Sequence, residues 1–145
     1  MKVYPDANII VALVLGEEEE DLAELFLKKS ADCLYSIVVS KTTFGEVSQR
    51  LENKGTLLLQ KFIDDFTQAK KLEVIQKSKD DEEKAIELNE QTSGKFGVND
   101  FIHALLAKKH ADVFVTNDRL FTKKASGMVK TLSLGEFLMR LKPKA

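Results

Sequence analysis

Residues 97–121 have the sequence GVNDFIHALLAKKHADVFVTNDRLF, which predicts a helix followed directly by a buried strand. The first half repeats apolar residues at the three- and four-residue spacing of one helical face, namely Val98, Phe101, Ile102, Leu105 and Leu106. Residues 113–115 (Val-Phe-Val) are a β-branched and aromatic run that is typical of an inner strand. Asp100 stands near the start of the helix, and Asp118 stands just after the strand. The two aspartates could therefore lie close together in the fold.

Short strands alternate with helices along the rest of the chain. The predicted strands are residues 2–4, 32–39, 72–75, 113–115 and 129–132. Beside the helix that begins near residue 98, the predicted helices are residues 7–15, 17–30, 42 or 43 to 54, 56–70, 79–91, 119–124 and 134–141. This alternation predicts an α/β domain of three layers, α/β/α, with a central, mostly parallel five-stranded sheet. In such folds ligands bind beyond the carboxyl ends of the strands, where Asp6 and Asp118 stand.

Composition and charge exclude several classes of protein. The 145 residues predict a single domain, residues 1–145, that buries about 70% of the surface exposed by the unfolded chain. No apolar run approaches the roughly 20 residues of a membrane span, and the chain starts with a strand rather than a signal peptide. The single Cys33 cannot form an internal disulfide, which fits a reducing cytoplasm. With 22 basic and 23 acidic residues, the chain lacks the basic excess of a protein that coats nucleic acid.

Three aspartates, Asp6, Asp100 and Asp118, each precede a predicted helix. Carboxylates in a chain with two histidines and one cysteine suit a hard cation such as Mg²⁺ or Mn²⁺, which prefers oxygen ligands. Helix N-capping is the alternative, since it accounts for each aspartate taken singly. Two of the three follow strands whose ends should converge, and this makes capping alone a less satisfying explanation.

Glu46 is the weakest candidate when it is judged from spacing alone. Phe44, Val47 and Leu51 form the inward stripe of its predicted helix and leave Glu46 on another face. There, an ion pair with Arg50, four residues on, explains an acidic residue without any functional role.

The four acids, in their order along the chain, resemble those of the PIN domain family. They stand as Asp6 in PDANIIVAL, Glu46 in TTFGEVSQRL, Asp100 in NDFIHALLA and Asp118 in TNDRLF. Small single-domain ribonucleases typified by VapC toxins are similar in length and element order. No single motif is specific, but the ordered set covers essentially the whole chain. It is this resemblance, and not spacing, that adds Glu46 to the site, while Pro5 before Asp6 departs from the usual first motif.

The resemblance implies a metal-dependent endoribonuclease whose four acids ring a pocket and hold one or two Mg²⁺ or Mn²⁺ ions. Asp6, Asp100 and Asp118 are then metal ligands, and Glu46 is a ligand or orients the attacking water. A cation held by carboxylates lowers the pKa of water and stabilises the charge that develops on the phosphodiester.

Five polar residues lie near these acids in sequence. The resemblance makes Asn8, Thr116 and Asn117 candidate outer contacts of the site, with ordinary turn and cap interactions as the alternative. Arg119 is predicted to be solvated. His103, three residues after Asp100, is predicted to lie beside the site rather than in it.

Partners follow from the resemblance as well. It implies an RNA substrate, a cytoplasmic toxin of a toxin–antitoxin pair, an antitoxin protein as partner, and a homodimer. Two predicted helices carry more apolar residues than one buried face of each helix needs. These residues are expected to belong to the core, and the alternative is a contact with a second copy or with an antitoxin. They are Ile9, Ile10, Leu13, Val14, Leu57, Leu58, Leu59, Phe62 and Phe66.

Three other functions stay open at this stage. One is a housekeeping nuclease in RNA processing. Another is a phosphate-transfer enzyme with Asp6 as nucleophile, which is disfavoured because Asn8 stands where a second aspartate is needed. The third is a non-catalytic RNA- or protein-binding module, which should tolerate loss of the acids.

Overall fold

Five strands form the central sheet of the protein. They are β1 (Lys2–Pro5), β2 (Ser36–Ser40), β3 (Leu72–Ile75), β4 (Val113–Val115) and β5 (Thr131–Leu132). The order across the sheet is β3-β2-β1-β4-β5, and every pair is parallel. The computed structural model describes residues 1–15, 25–26, 28–30, 32, 34–51, 56–68 and 71–141. The predicted five-stranded sheet is thus confirmed.

Helices cover both faces of this sheet. They are α1 (Ala7–Leu15), α2 (Lys41–Leu51), α3 (Thr56–Gln68), α4 (Lys79–Gln91), α5 (Val98–His110), α6 (Arg119–Ala125) and α7 (Leu134–Arg140), and residues 25–26 and 28–30 are also helical. Alternate strand residues point to opposite faces, so Val3 belongs to a core with α1, α2, α3 and α7. Tyr4 belongs to a second core with α4, α5 and α6. The predicted three layers are confirmed, and no described helix is long and apolar enough to cross a membrane.

Two strands are shorter than predicted, for local reasons. The strand predicted at 32–39 begins at Ser36, because the neighbouring β1 begins at Lys2 and Lys2 pairs with Ser36. The strand predicted at 129–132 begins at Thr131. There the backbone N–H of Val129 donates to the carbonyl of Ala125 at 2.9 Å, so Val129 completes the turn that ends α6.

One helix start also differs from the prediction. α2 begins at Lys41, one or two residues early, and its cap is Ser40 rather than a threonine, since the Ser40 hydroxyl accepts from the Thr43 N–H at 3.0 Å. The helices predicted at 17–30 and up to 54 run partly through residues 16–24, 27 and 52–55, which lie outside the described residues.

Part of the predicted partner surface is core. Ile9, Ile10 and Leu59 are buried within the chain. The side chains of Leu13, Val14, Leu57, Leu58, Phe62 and Phe66 lie outside what the structure describes. The homodimer and antitoxin contacts therefore stay predictions.

The connections place a crevice between β1 and β4. From β1 the chain builds outward through β2 to β3, then returns to the other side of β1 to form β4 and β5. This reversal of direction is the topological switch point at which ligands bind in open parallel sheets. The crevice is closed at its base where the Asp6 N–H donates to the Val115 carbonyl at 2.9 Å.

Candidate functional site

A small pocket lies at this switch point and contains all four acids selected from the sequence. Its volume is about 60 Å³, enough for roughly two water molecules at about 30 Å³ each. Its lining residues are Asp6, Ala7, Asn8, Glu46, Asp100, His103, Phe114, Thr116, Asp118 and Phe121. The acids come from the ends of β1 and β4, from α2 and from the first turn of α5, so the fold gathers them from across the chain.

Asp6 is held by hydrogen bonds on both of its carboxylate oxygens. The Thr116 hydroxyl donates to Oδ2 at 2.5 Å, and the backbone N–H groups of Asn8 and Ile9 donate to Oδ1 at 2.8 and 3.4 Å. Burial raises the pKa of Asp6, and the Thr116 hydrogen bond opposes that rise. Asp6 therefore caps the start of α1 and also faces the pocket.

Asp100 does not cap a helix, so the capping alternative is wrong for this residue. The N-cap of α5 is Gly97, which has a φ of 137° and makes no side-chain cap bond. Asp100 lies three residues into the helix instead, with its carboxylate toward the other acids. Burial, and next the nearby Asp118 carboxylate, raise the pKa of Asp100 to about 6. Burial and a neighbouring carboxylate each disfavour the ionised form of a carboxyl group.

Asp118 both caps a helix and lines the acidic pocket. Its Oδ1 accepts from the N–H of Phe121 at 3.1 Å, which makes Asp118 the N-cap of α6. It also lines the pocket and raises the pKa of Asp100. Capping therefore explains its place at the helix start but does not explain why it faces Asp100.

Glu46 contacts a histidine that the sequence placed outside the site. Glu46 Oε1 lies 2.9 Å from His103 Nε2, and both residues line the pocket. The prediction that His103 stands beside the site is therefore wrong. Arg50, the alternative partner of Glu46, donates a hydrogen bond to the side-chain oxygen of Asn8.

Sequence reasoning missed a group of hydroxyls behind His103. The Tyr4 hydroxyl lies 2.7 Å from His103 Nδ1, 2.8 Å from Ser40 Oγ and 3.1 Å from Thr43 Oγ1. All four residues are buried, and burial raises the pKa of Tyr4 to about 12. The one available signal was that Tyr4 and Ser40 stand at the carboxyl ends of predicted strands.

The three flanking residues have different roles. Thr116 contacts Asp6 directly and accepts from the Asp118 N–H at 3.2 Å, so it links two of the acids. Asn8 bonds to Asp6 through its backbone and to Arg50 through its side chain. The side-chain oxygen of Asn117 accepts from the Leu134 N–H at 3.0 Å, which ties the end of β4 to α7.

A larger groove adjoins the acidic pocket and shares Thr116 with it. Its volume is about 580 Å³, and its other lining residues are Asn117, Arg119, Thr122, Lys123, Ser133, Gly135 and Glu136. Arg119 and Lys123 are the two lysine or arginine side chains among the residues that line either cavity.

The ligand type of the four acids suits a hard divalent cation, but their side chains are not gathered around an ion. All four acids offer carboxylate oxygen, the ligand type that Mg²⁺ and Mn²⁺ prefer. Within the described residues, no three His, Cys, Asp or Glu side chains stand close enough together to hold an ion. Three of the acids are directed to protein donors: Asp6 to Thr116, Glu46 to His103, and Asp118 to Phe121. A bound cation would offset both causes of the raised pKa of Asp100, burial first and then the nearby Asp118 carboxylate.

We expect the ionisation of Asp100 to lower the stability of the metal-free protein as the pH rises from about 4 to about 6. The pKa of Asp100 in the fold, about 6, is above its ordinary value of 3.8, so ionisation is less favourable in the folded state than in the unfolded one. Carboxyl ¹³C NMR in EDTA should show Asp100 titrating near pH 6, and Asp118→Asn should lower that pKa. Titration near pH 4 in both proteins would contradict the crowded arrangement.

Comparisons with known proteins bear on the family and the fold. The model of the PIN domain family matches residues 3–127. Among solved structures, the chain is similar to the crystal structure of VapBC2 from Rickettsia felis bound to a DNA fragment from their promoter. The TM-score is 0.65 at 21% sequence identity, over 92% of this chain and 98% of that one. This likeness shows a shared fold. None of the curated proteins compared matches the chain.

Proposed function

The chain belongs to the PIN domain family, a family of nucleases that generally use divalent metal ions, and from this premise we propose that it is a metal-dependent endoribonuclease. Its reaction is the hydrolysis of phosphodiester bonds in RNA. The observation that carries the proposal is the convergence of Asp6, Glu46, Asp100 and Asp118 on one pocket at the switch point of the sheet.

Asp6, Asp100 and Asp118 are the proposed metal ligands, and Glu46 is either a ligand or the group that orients the attacking water. When bound, Mg²⁺ or Mn²⁺ lowers the pKa of that water and stabilises charge on the phosphodiester. Thr116 holds Asp6 in place with its 2.5 Å hydrogen bond. The negative charge of the acids would disfavour free phosphate and other anions in the pocket unless a bound cation offset it.

A strand of RNA also needs contacts beside the scissile bond, and the 580 Å³ groove is suited to supply them. It begins at Thr116, and Arg119 and Lys123 project into it from one turn of α6. The chain has a net charge of −1, so attraction of a polyanion depends on local cations such as these. We propose that this groove binds the phosphates that flank the cleavage site.

Replacing Arg119 or Lys123 with alanine should therefore raise the KM for RNA by about five- to tenfold and leave kcat almost unchanged, because phosphate contacts position the substrate without taking part in the chemistry. The salt dependence of binding should also weaken. Steady-state cleavage of a short labelled RNA measures both constants. Lys84→Ala, on the exposed face of α4, is the matched control. An unchanged KM in both variants would show that the groove does not bind the RNA substrate.

The biological role we propose is that of the toxin in a toxin–antitoxin pair, acting in the cytoplasm with an antitoxin protein as partner. The shared fold with a VapBC complex supports this role. A housekeeping PIN nuclease in RNA processing is the second candidate. A small reading frame directly upstream, whose product co-purifies with this chain and blocks cleavage, distinguishes the toxin from the housekeeping enzyme.

Cleavage of tRNA and rRNA by the purified chain tests the proposed activity. We expect strand breaks in Mg²⁺ or Mn²⁺ and none in EDTA, with activity restored when metal is added back. Cleavage that persists in EDTA would contradict the metal dependence. Intact RNA in every metal, from a protein that still binds Mn²⁺, would favour a non-catalytic module.

A further inference from the structure

A continuous line of hydrogen bonds runs behind the acidic pocket from the sheet to Glu46. It passes from the Tyr4 hydroxyl to His103 Nδ1 at 2.7 Å, and from His103 Nε2 to Glu46 Oε1 at 2.9 Å. The three residues come from β1, α5 and α2, respectively. Tyr4 is fully buried and His103 is 4% exposed, so water has little access to the contact between them, while the Glu46 side chain is 30% exposed.

The direction of the hydrogen bonds follows from Glu46, because a carboxylate only accepts. Its Oε1 therefore accepts the hydrogen of His103 Nε2 at 2.9 Å. A neutral ring that carries its hydrogen on Nε2 accepts at Nδ1, and the Tyr4 hydroxyl lies 2.7 Å from Nδ1. Burial raises the pKa of Tyr4 to about 12, so the phenol keeps its proton and can donate it to Nδ1.

We propose that His103 is a positioning residue of the active site: Tyr4 fixes it in the Nε2–H tautomer, and it holds the Glu46 carboxylate toward the other three acids. This inference rests on the proposed function, because it assigns the orientation of one proposed metal-binding group. Groups behind metal ligands act in this way by fixing the tautomer and direction of the residue in front of them.

His103 is the one polar residue among the buried residues of α5. The neighbours of His103 in the buried part of α5 are apolar: Phe101, Ile102, Ala104, Leu105 and Leu106. An apolar residue at position 103 would fill the same core without a polar group to satisfy. Glu46, in contrast, needs a donor, because its helix turns it toward three other carboxylates.

The tautomer of His103 tests the inference without metal or RNA. In ¹⁵N-labelled protein at pH 8, long-range ¹H–¹⁵N spectra should show His103 with hydrogen on Nε2 and none on Nδ1. Tyr4→Phe removes the donor to Nδ1, so the preference for this tautomer should weaken while His110 is unaffected. A proton on Nδ1 in the wild-type protein would overturn the proposal.

Metal affinity tests the consequence for Glu46. By calorimetry, His103→Leu should weaken Mn²⁺ binding by about 10- to 100-fold, the usual loss when a group behind a metal ligand is removed. His103→Gln, whose amide can still donate to Glu46, should restore most of that loss, and His110→Gln should bind as the wild type does. Equal affinity in His103→Leu and His103→Gln, with both proteins folded by circular dichroism, would overturn the proposal.

Failure of the proposed function has a different signature. A wild-type chain that neither binds Mn²⁺ nor cleaves RNA contradicts the nuclease assignment. The tautomer measurement still decides whether Tyr4 and His103 orient Glu46, because it depends on the metal-free protein alone.

Discussion

Asp100→Asn is expected to reduce RNA cleavage by about 1,000-fold while increasing the free energy of unfolding of the metal-free protein. The loss of activity follows because the amide leaves one fewer anionic ligand for the cation that stabilises the transition state. The gain in stability follows because the carboxylate it replaces has a pKa raised to about 6, first by burial and then by Asp118. Opposite effects on activity and stability are typical of a crowded functional group.

The sign of the stability effect depends on pH. Above about pH 6 the Asp100 carboxylate is ionised in the folded protein, where its charge is disfavoured, so its removal stabilises the fold at pH 7 and above. We expect a gain on the order of 1 kcal/mol, because water in the open pocket screens part of the repulsion. Below about pH 4 the carboxyl is neutral in both states, and the gain should vanish.

Urea unfolding in EDTA at pH 5 and pH 8, beside cleavage of labelled RNA in Mn²⁺, measures both effects in one variant. Asp65→Asn, an exposed aspartate on α3, is the matched control and should change neither quantity. Wild-type activity in Asp100→Asn would contradict the role of this carboxylate. A loss of stability at pH 8 would contradict the repulsion assigned to it.

Two substitutions of Asp118 separate its capping of α6 from its proposed metal binding, and their expected effect on cleavage is second to that of Asp100→Asn. Asp118→Asn and Asp118→Ala should both reduce cleavage by about 100-fold or more, since both remove a carboxylate from the pocket. Only alanine should lower stability, by about 1 kcal/mol, because asparagine can still accept the Phe121 N–H that caps α6.

Thermal or urea unfolding of the two variants, together with their cleavage rates, gives the comparison. If Asp118→Asn kept both the stability and the cleavage rate of the wild type, capping of α6 would be the whole role of Asp118. Ser78→Asn serves as the matched cap substitution, because Ser78 caps α4 and lines neither the acidic pocket nor the adjoining groove; it should leave cleavage unchanged.

The central strands and the helix between Asp100 and Asp118 were predictable because local pattern determines them. Residues 113–115 form β4 as expected, and four of the five apolar residues in the predicted helical stripe are buried, with Val98 half-buried. Strand ends were less predictable, since β2 begins only where β1 offers a partner. That boundary depends on a contact distant in sequence.

The site was predictable only in part, for a related reason. The resemblance brought Glu46 into the set of acids, whereas spacing favoured a pair with Arg50. The contacts that support Glu46 join it to His103, 57 residues away, and join His103 to Tyr4, 99 residues away. The periodicity of the sequence does not predict contacts between residues so far apart along the chain. The capping interpretation of Asp100 was wrong because Gly97 is the cap of α5 and Asp100 lies inside the first turn of the helix.

Calorimetric titration with Mn²⁺ tests whether the four acids form one metal site, using the wild type and the variants Asp6→Asn, Glu46→Gln, Asp100→Asn and Asp118→Asn. We expect saturable binding of one or two ions by the wild-type chain. Each substitution should weaken this binding by at least about 10-fold, with cleavage lost in the same samples. Wild-type Mn²⁺ affinity in all four variants would contradict a metal site formed by the four acids.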